Sequence, residues 1–322
     1  TANGTFIING TESVVVSQLH RSSGVFFYHD KGKTHSSGKI VYSSRIIPVR
    51  GSWIDMEIDP KDIIHIRIDR RRKFPITILF KAFGYSTEDI LAYFYRTDKI
   101  IIKDKKLFKA FDPELLKGQR ATKDIKDPDT GDVVVKKGRM YTKRALKQLS
   151  ESSLSMIPIS EEELEGRVSV GNLVDPASGE VIVGTNGVID QEVLENIMAA
   201  GITTLDVLYI DGVASSDSVH KTLILDKVEK KEDALVEIYR RLRPGNPATP
   251  EVAQDFVDHL FFKSSYYDLS SVGRLKLNLR LGIDTPVQLR TLRKEDILLT
   301  AKTLLRLRDT QGVVDDLSLI HI

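Results

Sequence analysis

The 322-residue sequence contains no cysteine and only one tryptophan. The absence of cysteine excludes disulfide bonds, thiolate metal sites and cysteine nucleophiles. No apolar run is long enough to span a bilayer, and no charged N-terminal region precedes an apolar one, so we predict neither a membrane span nor a signal peptide. A P-loop, a dinucleotide-binding glycine motif and an HExxH motif are also absent from the sequence, which therefore offers no self-sufficient active site.

Positive charge is concentrated near the N-terminus, although the net charge of the chain is only +2. Residues 21–73 contain twelve Lys or Arg against six Asp or Glu, so the remainder is net acidic. Short β-branched runs bounded by Gly, Asn, Asp or Pro predict an antiparallel sheet in the same region. The predicted strands are 5–8, 13–17, 25–28, 39–48, 53–58 and 63–68.

Helical patterns follow the predicted sheet. A helix is expected at 75–83, with proline at its first position and Gly84 as its stop. A second begins after Ser86, because Asp89 stands three residues further on, as in a capping box. Later helices are predicted at 232–241, 251–262 and 294–308.

An internal duplication occupies the middle of the chain. Residues 127–135 align with 175–183 at an offset of 48, and residues 142–149 align with 190–197 at the same offset. Each copy predicts a turn, a short strand and a helix, capped by Thr142 in the first copy and Asp190 in the second. We therefore predict an α+β fold, in which a mixed sheet-and-helix domain is interrupted at 111–225 by a small α+β domain. The related halves of this acidic insert are expected at about 120–165 and 168–215.

Three groups of residues are candidate sites. The basic run Arg70, Arg71, Arg72 and Lys73 is either a solvated edge or a phosphate contact. Trp53 is either partly buried core or a surface on which an unpaired base stacks. His29, Asp30 and His35 could suggest a metal site, but the spacing fits no ligand motif and the intervening lysines repel a cation, so no metal site is predicted.

Long segments of the sequence resemble bacterial DNA-directed RNA polymerase beta subunits. They occur in family order and include GTFIINGTE, VVVSQLHRSSGVFF, HDKGKTHSSGKIVYSSRIIPVRGSW, IDRRRKFP, ALVEIYRRLRPG and YDLSSVGRLKLN. The resemblance implies that residues 1–24 are strands of the adjoining protrusion and that 25–110 and 226–317 form the lobe. Residues 111–225 would be a lineage-specific insertion, and 318–322 a non-native tail, because the family continues differently there.

The resemblance also implies a function. The lobe would form one wall of the main DNA channel, with Arg21 and Trp53 near the non-template strand at the start site. A gate loop would contain Arg243, Pro244, Gly245 and Pro247, and Gln18 would border the rifamycin pocket. No catalytic residue is expected here, because the family's magnesium is held by the beta-prime subunit, and the fragment alone is expected to be inactive.

The expected partners are the non-template strand, the downstream DNA duplex and the beta-prime, alpha and sigma subunits. The resemblance further implies a cytoplasmic, nucleoid-associated enzyme. In an alternative interpretation the chain is chiefly an interaction module, whose acidic insert binds transcription factors while the basic sheet packs on neighbouring subunits.

Overall fold

The computed structural model describes residues 1–17, 20–33, 36, 38–103, 106–128, 131–212, 215–309 and 312–315. Within these residues the strands are β1 (Phe6–Ile8), β2 (Thr11–Ser13), β3 (Gly24–His29), β4 (Tyr42–Ile47), β5 (Ile54–Ile58), β6 (Ile64–Ile68), β7 (Phe74–Pro75), β8 (Thr97–Lys103), β9 (Lys106–Ala110), β10 (Ile125–Lys126), β11 (Val133–Val135), β12 (Met156–Ile159), β13 (Leu173–Val174), β14 (Val181–Val183) and β15 (Thr204–Leu208). The helices are α1 (Ile76–Ala82), α2 (Thr87–Phe94), α3 (Pro113–Leu116), α4 (Lys143–Glu151), α5 (Gln191–Ala199), α6 (Ser218–Leu225), α7 (Lys231–Leu242), α8 (Pro250–Phe261), α9 (Ser270–Leu281) and α10 (Lys294–Arg308).

The mixture of helices and antiparallel sheets confirms the α+β class. No helix of the described ranges is both long and apolar enough to cross a membrane.

The basic N-terminal segment forms a five-stranded antiparallel sheet in the order β3-β4-β5-β6-β7. Every second residue of β5 and β6 is an isoleucine or methionine that is buried on one face, as the period of a strand requires. The strands predicted at 25–28, 53–58 and 63–68 are confirmed. The strand predicted at 39–48 begins only at Tyr42, and the one predicted at 13–17 is wrong, because pairing with β1 ends at Ser13.

Helices cover the buried face of this sheet and form the main hydrophobic core with it. The capping box of α2 is confirmed: the backbone N–H of Asp89 donates to Ser86 Oγ at 3.0 Å, and that of Ser86 donates to Asp89 Oδ2 at 2.9 Å. Arg274 of α9 and Asp296 of α10 are fully buried and form an ion pair of 2.8 Å that joins the two helices.

The duplication is confirmed in three dimensions. Strands β10 and β11 with helix α4 reappear after 48 residues as β13, β14 and α5, and β12 reappears as the first four residues of β15. The two last strands lie at opposite edges of a second sheet of order β12-β9-β8-β15. The helix caps agree as well, since Thr142 accepts from Ala145 N and Asp190 accepts from Val193 N.

Two elements close to the predicted limits at 111 and 225 pack in different parts of the structure. The β8-β9 hairpin is the centre of the second sheet, whereas α6 packs on α1, α2 and β6 in the main core. The limits at 111 and 225 stay predictions. The assignment of these parts to named polymerase regions stays a prediction.

Helix α9 has no counterpart among the sequence-based predictions. Leu275, Leu277, Leu279 and Leu281 alternate along it as they would along a strand, which conceals the helical period. Gly273 explains how the helix packs, because a Cβ at this position would lie 2.5 Å from Ser23 Oγ. The glycine allows α9 to approach the start of β3 closely.

Candidate nucleic-acid interface

The face of the five-stranded sheet that points away from the core carries aromatic, cationic and acidic side chains. These side chains are half-buried and occupy the positions between the buried residues of β3, β4, β5 and β6. Phe26 lies opposite Arg45, which in turn lies opposite Asp55 on the next strand. We call this surface the open sheet face; its described members are Phe26, Tyr28, Arg45, Trp53, Asp55, Glu57, His65 and Arg67.

Trp53 lies immediately before β5, outside the main hydrophobic core. Its backbone is fixed by Asp69, whose N–H donates to Trp53 O at 3.0 Å and whose Oδ1 accepts from Trp53 N at 2.8 Å. The guanidinium carbons of Arg45 and Arg70 lie 5.7 and 5.4 Å from the centre of the indole ring. The tryptophan is therefore a surface residue held by cation–π contacts.

A strained turn brings Arg70 to this ring. The backbone of Asp69 and Arg70 has φ of 48° and 59°, and Arg71 N donates to Ile68 O at 2.9 Å, which defines a type I′ turn. Such turns favour Asn-Gly, because a left-handed conformation costs a residue with a Cβ about 1 kcal/mol. An arginine at this position is thus kept at a cost in stability that its contact with Trp53 partly offsets.

Arg21 extends the same pattern to the other side of the sheet. Its guanidinium carbon lies 5.0 Å from the centre of the Phe26 ring, while Arg45 lies 5.9 Å from that of Tyr28. The chain after Arg21 is anchored by the buried Ser23, whose Oγ lies 3.2 Å from Ser270 Oγ of α9. Guanidinium groups and rings consequently alternate across three strands, and we call this set the arginine–aromatic row: Arg21, Phe26, Tyr28, Arg45, Trp53 and Arg70.

The basic run after β6 is not uniform. Arg70, Arg71 and Arg72 are exposed, and none has a carboxylate within ion-pair distance in the described part of the chain. Lys73 is half-buried, and its Nζ is paired with Glu57 Oε1 at 2.8 Å. Three of the four cations can therefore meet an external anion without first breaking an ion pair.

The remaining charges of the open sheet face largely offset one another. Arg45 donates a hydrogen bond to Asp55, which offsets its charge. Burial, reinforced by the positive charge of Lys73, lowers the pKa of His65, so this imidazole is neutral at pH 7. The cations of this surface without an ion pair among the described residues are Arg67 and, at the edge, Arg70, Arg71 and Arg72.

The predicted gate loop connects α7 to α8. Arg243, Pro244, Gly245 and Pro247 are all exposed, and Gly245 has φ of 90°. The end of α7 is attached to the sheet edge, because Arg241 lies 5.7 Å from the Phe74 ring and donates to Lys73 O at 3.4 Å. This attachment fixes the base of the loop beside the basic run.

Comparison with known proteins identifies the family. The chain matches the family described as RNA polymerase Rpb2, domain 2, over residues 21–129 and 187–318. It belongs to this family. The Rpb2 domain 2 match includes the open sheet face, the basic run and the gate loop, and its two parts are separated by residues of the duplicated insert.

Curated relatives of this Rpb2 domain 2 chain are named DNA-directed RNA polymerase subunit beta. The protein of Desulforapulum autotrophicum is 66% identical over 317 residues and that of Desulfosudis oleivorans 63% identical over 317 residues, each alignment covering 98% of this chain and 23% of the relative. The protein of Bdellovibrio bacteriovorus is 50% identical over 320 residues, with the same coverage. The chain therefore spans about a quarter of the length of these relatives.

The structure brings Trp53 and Arg70 into contact and places Arg21 in the same row. The gate loop follows α7, whose Arg241 donates to Lys73 O at the end of the basic run, and Gln18 lies outside the described residues. Sequence reasoning missed Phe26 and Tyr28 as site residues and counted Arg45 only among the twelve cations of residues 21–73. The sequence signal that could have identified these three residues is their alternation with residues that the strand period places in the core.

The metal-site interpretation gains no support from the fold. Asp30 accepts hydrogen bonds from Gly32 N and Val41 N, both at 2.9 Å, within its own loop. The His29 ring packs against that of Tyr42, and His35 is not among the described residues. Across the described ranges, no group of three or more His, Asp or Glu is arranged to hold a metal ion.

Proposed function

We propose that this Rpb2 domain 2 chain forms one wall of the main DNA channel of a bacterial RNA polymerase and contacts the non-template strand near the start site. The observation that supports this most strongly is the arginine–aromatic row. A single strand held apart from its complement needs cations for its phosphates and rings for its unpaired bases. The row offers both on one sheet face.

Trp53 is the proposed stacking residue. A base that stacks on the indole displaces the guanidinium of Arg45 or Arg70 from the ring. An exposed cation–π contact contributes roughly 0.5–1 kcal/mol, whereas one stacked base contributes about 1–3 kcal/mol. The exchange is therefore favourable, and the displaced arginine gains a nearby phosphate as its new partner.

Arg70, Arg71 and Arg72 are proposed to contact phosphates, because none of them is paired with a carboxylate among the described residues. Lys73 contributes less, since its ion pair with Glu57 has to be broken first. The gate loop would approach the DNA from the same side, because α7 joins it to the edge of the sheet.

Catalysis is proposed to lie elsewhere in the complete enzyme. DNA-directed RNA synthesis would use magnesium held by the beta-prime subunit, and this chain would be inactive alone. Its proposed partners are the non-template strand, downstream duplex, and beta-prime, alpha and sigma subunits in the cytoplasm, with transcription factors on the insert. The role of Gln18 at the border of an inhibitor pocket stays a prediction.

The proposal can be tested with the 322-residue chain and a labelled forked DNA, by fluorescence anisotropy over a range of salt concentrations. Replacing Phe26 and Trp53 together by serine is expected to weaken binding about tenfold or more, because two rings are lost. The control replaces Val133 and Val181 by serine, since both are exposed on the insert. Equal affinities of the two double variants would contradict the proposal.

A further inference from the structure

The two copies of the duplicated insert have opposite charge. Residues 116–159 contain ten Lys or Arg and five Asp or Glu, whereas residues 164–207, shifted by 48, contain one and seven. The insert as a whole is acidic, and the basic character of its first copy is visible only after the copies are aligned.

The equivalent surfaces of the two copies also differ in what covers them. In the second copy, the turn at 184–187 lies against the main domain: Thr185 Oγ1 donates to Glu88 Oε1 at 3.0 Å, and Asn186 Oδ1 lies 2.8 Å from His220 Nδ1. Val168 beside it is buried in the main core. The second copy thus uses this surface to bind protein, including a carboxylate at the start of α2.

The same surface of the first copy is uncovered. The turn at 136–139 is exposed throughout, and its conformation matches that of the second copy, since Gly138 and Asn186 have φ of 78° and 65°. Arg120 stands where the second copy has Val168 and is exposed. No contact in the described part of the chain takes the place of Glu88 or His220 here.

A groove of about 540 Å³ runs across this uncovered surface. Its floor includes Val133 and Met140, which are 40% and 50% exposed, and Arg120, Lys136 and Arg139 lie around it. No carboxylate is among the described residues that line it. At the positions of the three cations the second copy has Val168, Gly184 and Gly187.

We propose that this groove, with Lys136, Arg139 and Met140 as its central residues, is a docking site for an acidic amphipathic segment of a partner protein. The cations select negative charge, and the exposed apolar floor selects leucine-like side chains, which a DNA backbone does not supply. The second copy already holds a carboxylate-bearing helix at the equivalent place. The proposal gives the interaction-module interpretation a specific surface and does not depend on DNA binding by the sheet.

The test uses the 322-residue chain and a fluorescein-labelled helical peptide with glutamates on one face and leucines on the other. Replacing Lys136 and Arg139 by glutamate is expected to weaken binding about tenfold or more, because like charges then meet. The matched control replaces the exposed Lys123 and Lys126 by glutamate, which changes the charge equally outside the groove and should alter binding less than about twofold. Met140→Ser should remove the preference for this peptide over one of equal composition with scattered leucines.

Three results would overturn the proposal. The first is that the amphipathic peptide shows no saturable binding. The second is that the groove variant and the control lose equal peptide affinity. The third is that a short duplex DNA displaces the peptide and its own binding depends on Lys136 and Arg139. The last result would assign the surface to nucleic acid. Failure of the peptide test leaves the DNA-binding test of the sheet unaffected, because Phe26 and Trp53 lie on a different domain.

Discussion

Replacing Trp53 by alanine in the complete polymerase should shorten the lifetime of the open promoter complex. The loss of one stacked base removes about 1–3 kcal/mol of binding. Part of this loss is offset. In the free wild-type protein, a base can stack on Trp53 only after a guanidinium has left the ring, which costs roughly 0.5–1 kcal/mol of cation–π energy. The alanine variant does not incur this cost. The net effect is about 0.5–2 kcal/mol, which corresponds to a lifetime roughly 2- to 30-fold shorter.

Two controls separate stacking from misfolding. Trp53→Phe keeps a ring between the two guanidinium groups and should retain most of the lifetime. Thermal unfolding of the 322-residue chain should change little in either variant, because Trp53 lies outside the main core. The measurement is the decay of open complexes after addition of a competitor such as heparin. An unchanged lifetime in Trp53→Ala, or an equal loss in Trp53→Phe, would refute the stacking assignment.

Three further predictions concern charge. Replacing one of the three arginines at 70–72 by glutamine should reduce the slope of log affinity against log salt concentration for single-stranded DNA by about 0.7. Lys73→Gln should reduce this slope less, because Lys73 is already paired with Glu57. Slopes equal to that of the unchanged chain would show that the run does not contact DNA. Arg274→Met should lower the unfolding free energy by about 3–5 kcal/mol in urea titrations, because it leaves the buried Asp296 unpaired. The control, Lys147→Gln, breaks an exposed ion pair and should cost less than about 1 kcal/mol. Similar costs in the two variants would contradict the burial argument. Burial lowers the pKa of His65 in the folded chain, so this imidazole binds a proton more readily in the unfolded chain. The unfolding free energy should therefore fall as the pH decreases below about 6.5. His65→Gln should flatten that part of a profile of unfolding free energy against pH.

Much of the fold could be predicted from the sequence, because strands β5 and β6 and helices α7 and α10 show their periods clearly. The duplication was visible because the turn residues and caps repeat together. The β8-β9 hairpin could not be assigned to the second sheet, since its partners lie far away in the chain. Helix α9 was missed because its leucines alternate like those of a strand.

The candidate site was predicted only in part. Trp53 and the basic run were conspicuous because tryptophan is unique and the cations are consecutive. The contact between Trp53 and Arg70 depends on a type I′ turn at Asp69 and Arg70, for which the sequence gives no glycine or asparagine signal. The pairing of Lys73 with Glu57 depends on strand register. Such pairings decide which charges remain available, and residue types alone do not reveal them.

The most direct test of the proposed DNA-facing role is site-specific photocrosslinking in the complete polymerase. A p-benzoylphenylalanine at position 53 is expected to crosslink to the non-template strand near the start site in open complexes, whereas the same group at position 133 in the insert should not crosslink to DNA. Crosslinks from position 53 to neighbouring protein alone, or to the template strand, would contradict the account.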